Sequence, residues 1–354
     1  MASMEMGRNK NTGLWGSIVS GMNAIGFSPL GVVVLVILAV LPLFPPFNQE
    51  HLLRWLISGA LIAAQAVAFD FTSGYINVVN FGFAAFVGVG AYTSSILANE
   101  APFLIVQPGI SPWIGIWVGA LAAGLVGLGL GALTLRLRGI FAACMAWFVG
   151  IALMGLARNL TSLTRGALGL HPPRLLEAPG NLPYFYVILA MMLVTYITLK
   201  LITRGRMGLA FRAIGQNIEA AKASGINPTY YRVFNFTISC MFAGWLGGFY
   251  AHYLASLTPS TVMHTSKTTE VLAMVYIGGR GSLWGGMGIA FPFVFIMNYL
   301  RSNLTNLPGL HLVIYGVVMI LVMIFYPGGA AGALVKLGDW ARDKLGLGSA
   351  SSEQ

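Results

Sequence analysis

Residues 113–135 read WIGIWVGALAAGLVGLGLGALTL, an apolar stretch that contains no charged residue. A transmembrane helix needs about 20 consecutive, mostly apolar residues, so this stretch is long enough to cross a bilayer. Gly115 and Gly119, and again Gly127 and Gly131, lie four residues apart on one helical face. Because small residues at this spacing let helix backbones approach closely in membranes, the stretch predicts a transmembrane helix that packs tightly against its neighbours.

Apolar runs of this kind recur along the whole chain of 354 residues. Hydrophobic residues make up 57% of it and charged residues 8%, whereas about 25% of the residues of an ordinary globular domain are charged. The sequence therefore predicts an all-α, polytopic membrane protein with about ten transmembrane helices, of which the eighth is short. The predicted spans are residues 30–47, 52–69, 81–98, 113–135, 140–157, 184–203, 233–254, 268–277, 286–300 and 310–326.

The chain carries a formal net charge of +10. A nucleic-acid-binding domain would collect its basic residues on one water-facing surface, whereas here they lie between the apolar runs, so we expect no nucleic-acid partner. Cytoplasmic loops of membrane proteins are enriched in Lys and Arg, and most of the 20 Lys and Arg residues fall on one side if residues 204–232 are cytoplasmic. Both termini are then cytoplasmic, with an N-terminal segment at 1–29, a membrane domain at 30–329 and a tail at 330–354.

Two segments interrupt the apolar pattern at similar places in the two halves of the chain. Five predicted spans precede an outer loop at 158–183 and five follow it, so the second half is predicted to enter the membrane in the inverted orientation, as in many transporters. Each half has a Gly-rich, polar interruption, at residues 72–82 (TSGYINVVNFG) and 278–286 (GGRGSLWGG). Because transporters bind or pass substrate at broken helices, these interruptions are the predicted substrate path.

Polar side chains near the first interruption are the candidates for lining that path. Asp70 ends the second span, and a charge at the membrane centre costs about 2.5–3.5 kcal/mol, so it either caps the broken helix or takes part in the path. Tyr75, Asn77 and Asn80 follow closely. They either form hydrogen bonds with a passing solute or satisfy backbone groups that the break leaves unpaired.

Residues 204–232, hereafter the basic segment, form a polar and helix-prone stretch between the sixth and seventh spans. Glu219, Ala220 and Ala221 favour a helix, and Gly225 is suited to end one. We predict a short cytoplasmic helix whose small alanines permit close docking of a soluble partner and whose Glu219 orients it. The alternative is an ordinary basic loop held at the lipid headgroups.

Several other classes of function find no support in the sequence. The five histidines lack the spacing of a metal site, and no Gly-x-x-x-x-Gly-Lys-Ser/Thr loop is present to bind nucleotide phosphates. No paired carboxylates or activated nucleophile occur at catalytic spacing. We therefore predict that the chain is not an enzyme and holds no metal or cofactor. Lys267 and Glu270 are expected to form an ion pair on one helical face.

Three segments resemble the permease subunits of branched-chain amino acid ABC transporters. They are residues 208–227 (GLAFRAIGQNIEAAKASGIN), residues 73–75 together with 80–93 (SGY and NFGFAAFVGVGAYT), and residues 277–285 (IGGRGSLWG). Their order and spacing agree with that family. Residues 135–139 and 163–170 are similar to the longer of the two permeases that such systems usually pair.

The resemblance implies half of a translocation pore in the bacterial inner membrane. The expected partners are a homologous second permease, two ATPase subunits that bind the ATP, and a periplasmic binding protein that delivers a branched-chain or related amino acid. Glu219, Ala220, Ala221 and Gly225 would then couple the permease to its ATPase.

Two positions depart from the family pattern. The family usually has His where Phe83 stands and a small polar residue where Leu168 stands. A permease for urea, short-chain amides or another small polar solute is therefore an alternative, and a self-sufficient secondary transporter or channel is a rival of a different class. Such a rival would need a buried, ion-coupling carboxylate, for which Asp70 is the nearest candidate.

Overall fold

The computed structural model describes residues 29–44, 49–99, 109–134, 139–177, 180–303, 310–325 and 329. These residues contain no β-strand, and the β-type pairing found among them is an isolated antiparallel bridge between Leu170 and Leu257. The predicted cytoplasmic N-terminal segment, apart from its last residue, and the predicted tail at 330–354 lie outside the described residues.

Helices make up most of the described parts of the chain. They are α1 Pro29–Val40, α2 Glu50–Ser73, α3 Phe83–Ala98, α4 Pro112–Thr134, α5 Ile140–Asn159, α6 Thr161–Thr164, α7 Leu182–Arg204, α8 Arg206–Gln216, α9 Ile218–Ala223, α10 Pro228–Leu254, α11 Pro259–Val262, α12 Thr265–Gly278, α13 Trp284–Asn303 and α14 Leu310–Phe325. Short 3-10 helices cover Leu41–Leu43 and Gly166–Leu168. Each predicted apolar run overlaps one of these helices, which confirms the all-α fold class.

Four helices are long and apolar enough to cross a membrane by length and composition, namely α2, α4, α5 and α7. α3 is also apolar but shorter, with 16 residues. The eighth predicted span corresponds to α12, which has 14 residues and is short as expected. An all-α protein with membrane-spanning helices is therefore confirmed, while the number of ten spans and the inverted halves stay predictions.

The chain forms two units that meet in sequence at residues 49 and 50. In the first unit, α1 leads directly into the 3-10 helix Leu41–Leu43. The second unit begins at Glu50 and contains α2 to α14. All contacts described below lie within the second unit.

Glycines bring α3, α4 and α10 into backbone contact. A Cβ atom on Gly90 of α3 would lie 2.2 Å from the carbonyl oxygen of Gly244 in α10, and a Cβ atom on Gly119 of α4 would lie 2.5 Å from the carbonyl oxygen of Gly90. Such distances leave no room for any side chain. The close helix packing predicted from the glycine spacing is therefore confirmed, and it replaces the hydrophobic driving force that lipid does not supply between helices.

α2 is the most enclosed of the four long apolar helices. Of its most apolar 18-residue stretch, 72% is buried, against 28% of the corresponding stretch of α5. α5 instead presents large apolar side chains on its surface, among them Ile140 and Phe141, which are 72% and 69% exposed. An interior helix is the appropriate place for polar side chains, because these are costly when they face lipid, and α2 carries both Gln65 and Asp70.

The loop at 158–183 is tied to the helices by specific polar contacts. Leu170 pairs with Leu257 through two backbone hydrogen bonds of 2.8 and 2.9 Å. The buried His252 of α10 lies 2.8 Å from the Ser94 hydroxyl through Nε2 and 2.8 Å from the Pro173 carbonyl oxygen through Nδ1. These contacts hold the described residues of the loop against α10 and the residues that follow it.

Two substitutions on α4 test the glycine contact. We expect Gly119→Ala to lower the free energy of unfolding by about 1–3 kcal/mol, because its Cβ would overlap a backbone oxygen and force helices apart. Gly129→Ala is the matched control, since nothing lies within 4 Å of its Cβ. Thermal unfolding of both purified variants in detergent measures the difference. Equal midpoints for the two variants would contradict the proposed packing.

Candidate functional site

The two interruptions predicted from the sequence lie against each other. The first break, residues 74–82, separates α2 from α3, and the second break, residues 279–283, separates α12 from α13. A Cβ atom on Gly74 would lie 2.5 Å from the Cα atom of Gly281. The backbones of the two breaks are therefore in direct contact.

Asp70 holds the second break in place. Its side chain is 2% exposed, and its two carboxylate oxygens accept hydrogen bonds of 2.8 Å from the backbone N–H groups of Gly281 and Leu283. Charged acceptors make the stronger class of hydrogen bond, and the positive charges of Arg280 and Lys200 act on the same carboxylate. Asp70 therefore caps the break of the other half of the chain, not the helix end that follows it in sequence.

The second break stores backbone strain. Gly279, Gly281 and Leu283 have φ angles of 103°, 83° and 59°, and positive φ is unfavourable for a leucine. The Ser282 hydroxyl donates to the Gly279 carbonyl oxygen at 2.7 Å and accepts from the Gly285 N–H at 3.0 Å. The tight turn is thus stabilised by hydrogen bonds of its own residue Ser282 and by hydrogen bonds to the Asp70 carboxylate of α2.

A second polar contact joins the breaks at their exposed side. Asn77 also has a positive φ, of 55°, which Asn tolerates better than most residues. Its side-chain oxygen accepts a hydrogen bond of 3.0 Å from Arg280, whose guanidinium carbon lies 5.8 Å from the centre of the Tyr276 ring. Asn77 and Arg280 are both exposed, so this contact can exchange with water or with a solute.

The other two predicted path residues are buried in the first break. Tyr75 is 3% exposed and Asn80 is 1% exposed. The Asn80 side-chain oxygen accepts a hydrogen bond of 3.1 Å from the Gly82 N–H, and its amide lies 4.0 Å from the sulfur of Cys240. Asn80 thus satisfies a backbone group at the start of α3. Contact of Tyr75, Asn77 or Asn80 with a solute stays a prediction.

The basic segment contains the short helix that its sequence predicts. The Asn217 side chain accepts hydrogen bonds from the N–H groups of Glu219 and Ala220 and so caps the start of α9. At the other end Gly225 has a φ of 80°, and bonds from Gly225 N–H to Lys222 and from Ile226 N–H to Ala221 complete a Schellman motif. α9 is therefore fixed at both ends.

The residues predicted to couple to a partner differ in exposure. Glu219, Ala220 and Gly225 are exposed, whereas Ala221 is 3% exposed and packs inward. Among the described residues one face of α9 is thus exposed, and docking of a partner on it stays a prediction. A small residue at Ala221 lets α9 lie close to the helices beneath it.

The basic segment also contacts the first break directly. A Cβ atom on Gly215 of α8 would lie 2.3 Å from the carbonyl oxygen of Tyr75, and the Arg212 guanidinium lies 5.5 Å from the centre of the Tyr75 ring. A cavity of about 330 Å³ opens beside this contact, lined in part by Asn77 and Glu219. A displacement of α8 would therefore push on the first break.

Two residues that sequence reasoning missed support α2 just before the first break. Asn235 donates a hydrogen bond of 2.9 Å to the Phe71 carbonyl oxygen, and Ser239 donates one of 2.7 Å to that of Ala68. Both lie on α10, which starts inside the basic segment. Their signal in the sequence is two small polar residues four positions apart in an apolar helix, a spacing that places them on one face.

Asp70→Ala tests the clamp between the two breaks. Loss of the carboxylate leaves the N–H groups of Gly281 and Leu283 without acceptors in a buried place, and each such group costs roughly 1–3 kcal/mol. We expect a large drop in the thermal unfolding midpoint in detergent. Asn77→Gly is the control, because glycine tolerates the positive φ and the change removes only an exposed contact. A drop no larger than that of the control would contradict the clamp.

Comparison with known proteins agrees with these features. Residues 51–323 match the family described as branched-chain amino acid transport system / permease component. The high-affinity branched-chain amino acid transport system permease protein LivM of Salmonella typhimurium is 25% identical over 284 residues, which cover 72% of this chain and 64% of LivM. The matched region thus spans less than two thirds of that relative. No solved structure matches the chain significantly.

Two further relatives differ in the solutes that their names give. The nucleoside ABC transporter permease protein NupC of Lactococcus lactis is 24% identical over 250 residues, or 65% of this chain and 77% of NupC. The probable branched-chain amino acid transport permease protein LivH of Methanocaldococcus jannaschii is 23% identical over 320 residues, or 82% of this chain and 95% of LivH. Because the family match extends over most of the sequence, the chain belongs to the branched-chain amino acid transport system permease family, whose members are transport components of membranes.

Proposed function

We propose that this chain is a transmembrane permease subunit of an ATP-binding-cassette importer that translocates branched-chain or related amino acids. It lies in the bacterial inner membrane, with about ten spans in two inverted halves and both termini in the cytoplasm. It pairs with a homologous second permease and two ATPase subunits, which bind the ATP, and it receives its solute from a periplasmic binding protein.

One observation carries the proposal, namely the continuous contact from the basic segment to both breaks. α9 presents an exposed docking face, α8 touches Tyr75 through Gly215, and the first break touches the second through Gly74 and Asp70. Transporters commonly bind or pass their solute at broken helices. A motor that moves the basic segment would therefore move the broken helices mechanically.

The names of the similar proteins bear on the solute. LivM and LivH are named for branched-chain amino acids, whereas NupC is named for nucleosides. The amino acid is favoured by the family description and by the three sequence segments that resemble such permeases. A permease for urea, short-chain amides or another small polar solute is the alternative within the same transporter class.

The self-sufficient secondary transporter is the rival of a different class, and it would need a carboxylate that can bind and release a coupling ion. Both carboxylate oxygens of Asp70 already accept 2.8 Å hydrogen bonds from the second break. An ion would have to displace these bonds and release a strained turn. This engagement of Asp70 argues for a structural role and supports the ATP-driven importer.

Glu219→Arg tests the docking role of α9. Reversing an exposed charge on the docking face is expected to reduce ATPase retained during affinity purification of the membrane complex at least ten-fold, because like or unpaired charges weaken an interface. Glu177→Arg makes the same change at an exposed carboxylate in the loop at 158–183 and serves as the control. Full retention of ATPase by Glu219→Arg would exclude this docking role.

Gly215→Ala tests the mechanical link to the first break. Its Cβ would lie 2.3 Å from the Tyr75 carbonyl oxygen, so α8 must shift away from the break. We expect ATP hydrolysis in proteoliposomes to persist while uptake per ATP falls several-fold. Gly129→Ala, inside α4 with nothing within 4 Å of its Cβ, controls for helix propensity. Unchanged coupling in Gly215→Ala would argue against transmission through this contact.

A further inference from the structure

A second cavity, of about 90 Å³, lies away from the basic segment among α2, α3, α10, α11 and α12. One water needs roughly 10–15 Å³ of such space, so the cavity accommodates a solute of roughly six to nine heavy atoms. Small aliphatic amino acids fall in this range. The cavity thus has the capacity for one small solute and is too small for a nucleoside.

The cavity contains one cation and one anion side by side. Lys267 Nζ lies 3.0 Å from one carboxylate oxygen of Glu270 and 3.2 Å from the other. The two side chains are 43% and 34% exposed, so both remain within reach of a solute. The pair confirms the predicted (i, i+3) contact on α12. The sequence did not predict that this pair would line a cavity.

The wall formed by α2 supplies an amide side chain. Gln65 of α2 is 8% exposed and lines the cavity, and its side chain forms no hydrogen bond with another described residue. The Gln65 amide is therefore within reach of water or of a solute in the cavity. The remaining wall is largely apolar and includes Leu61, Val87 and Val271.

This combination matches a zwitterion with an aliphatic side chain. The α-carboxylate can take the place of Glu270 beside Lys267, and the α-ammonium group can take the place of Lys267 beside Glu270. Each protein charge keeps an opposite charge nearby during the exchange, so the large cost of isolating a charge is avoided. A neutral sugar, amide or nucleoside offers no charge for such an exchange.

The cavity lies beside the first break and is connected to the second break through α12. Phe83, the first residue of α3 after the first break, lines it, and Ala84 donates a hydrogen bond of 3.0 Å to the Thr268 hydroxyl of α12. α12 carries Lys267 and Glu270 and ends at the second break. Movement of α3 or α12 at the breaks would therefore shift residues that line the cavity.

We propose that this cavity is a transient binding site for the zwitterionic amino acid, in which Lys267 holds the carboxylate, Glu270 holds the ammonium group, and Gln65 and the apolar wall receive the rest. This inference rests on the proposed importer function and assigns its solute-binding residues. The site selects α-amino acids over neutral solutes by charge.

The test uses the complete transporter in proteoliposomes, with binding protein and radiolabelled L-leucine outside and ATP inside. Lys267→Gln and Glu270→Gln are expected to lower leucine transported per ATP at least ten-fold, while the binding protein still stimulates ATP hydrolysis. Arg301→Gln, which removes another exposed cation at the end of α13, is the matched control and keeps the wild-type ratio.

A charge-exchanged double variant guards against misfolding. Lys267→Glu combined with Glu270→Lys keeps the ion pair on α12 but exchanges the positions of its positive and negative charges. A solute bound in the original orientation would then place its carboxylate and its ammonium group beside like charges. We expect transport per ATP to stay at least ten-fold below wild type in this variant. A wild-type ratio in either single variant or in the double variant would overturn the site. Absence of leucine uptake by the wild-type complex would instead overturn the proposed importer function.

Discussion

The structure depends on the hydrogen bonds that the N–H groups of Gly281 and Leu283 donate to the Asp70 carboxylate. A broken helix leaves backbone groups unpaired, and lipid cannot satisfy them. Asp70 supplies both acceptors at 2.8 Å and holds a turn in which a leucine has positive φ. The carboxylate tolerates burial because each of its oxygens accepts a hydrogen bond. The same two hydrogen bonds stabilise the strained backbone of the turn.

Three sets of contacts connect the Asp70 clamp to the rest of the second unit. Toward the basic segment, the first break meets α8 at Gly215 without any intervening side chain. Along α12, the second break leads to the Lys267–Glu270 pair. Between them, Asn235 and Ser239 of α10 hold the last turns of α2 by hydrogen bonds to its carbonyl oxygens. Because these contacts are direct, a displacement of α8 or α12 would act on the breaks.

Close backbone contact is the second constraint. Gly90, Gly119 and Gly244 let α3, α4 and α10 approach so closely that a methyl group would overlap backbone atoms. Such packing gives a rigid group of helices, whereas the breaks carry glycines that permit positive φ. Glycine thus permits close helix packing in one region and a tight turn in another. In the helices it allows a neighbouring backbone to approach, and in the breaks it allows a positive φ.

The sequence by itself determined the helices, the positions of both breaks, the ends of α9 and the family resemblance, because hydropathy, glycine spacing and helix propensity act over short distances. It also predicted the Lys267–Glu270 pair, which is local. Only the tertiary structure decided that Asp70 caps a turn 211 residues away, that α8 touches the first break, and that the ion pair and Gln65 line the same cavity. Those contacts join residues far apart in the chain, and no local pattern encodes which of many polar side chains will meet after folding.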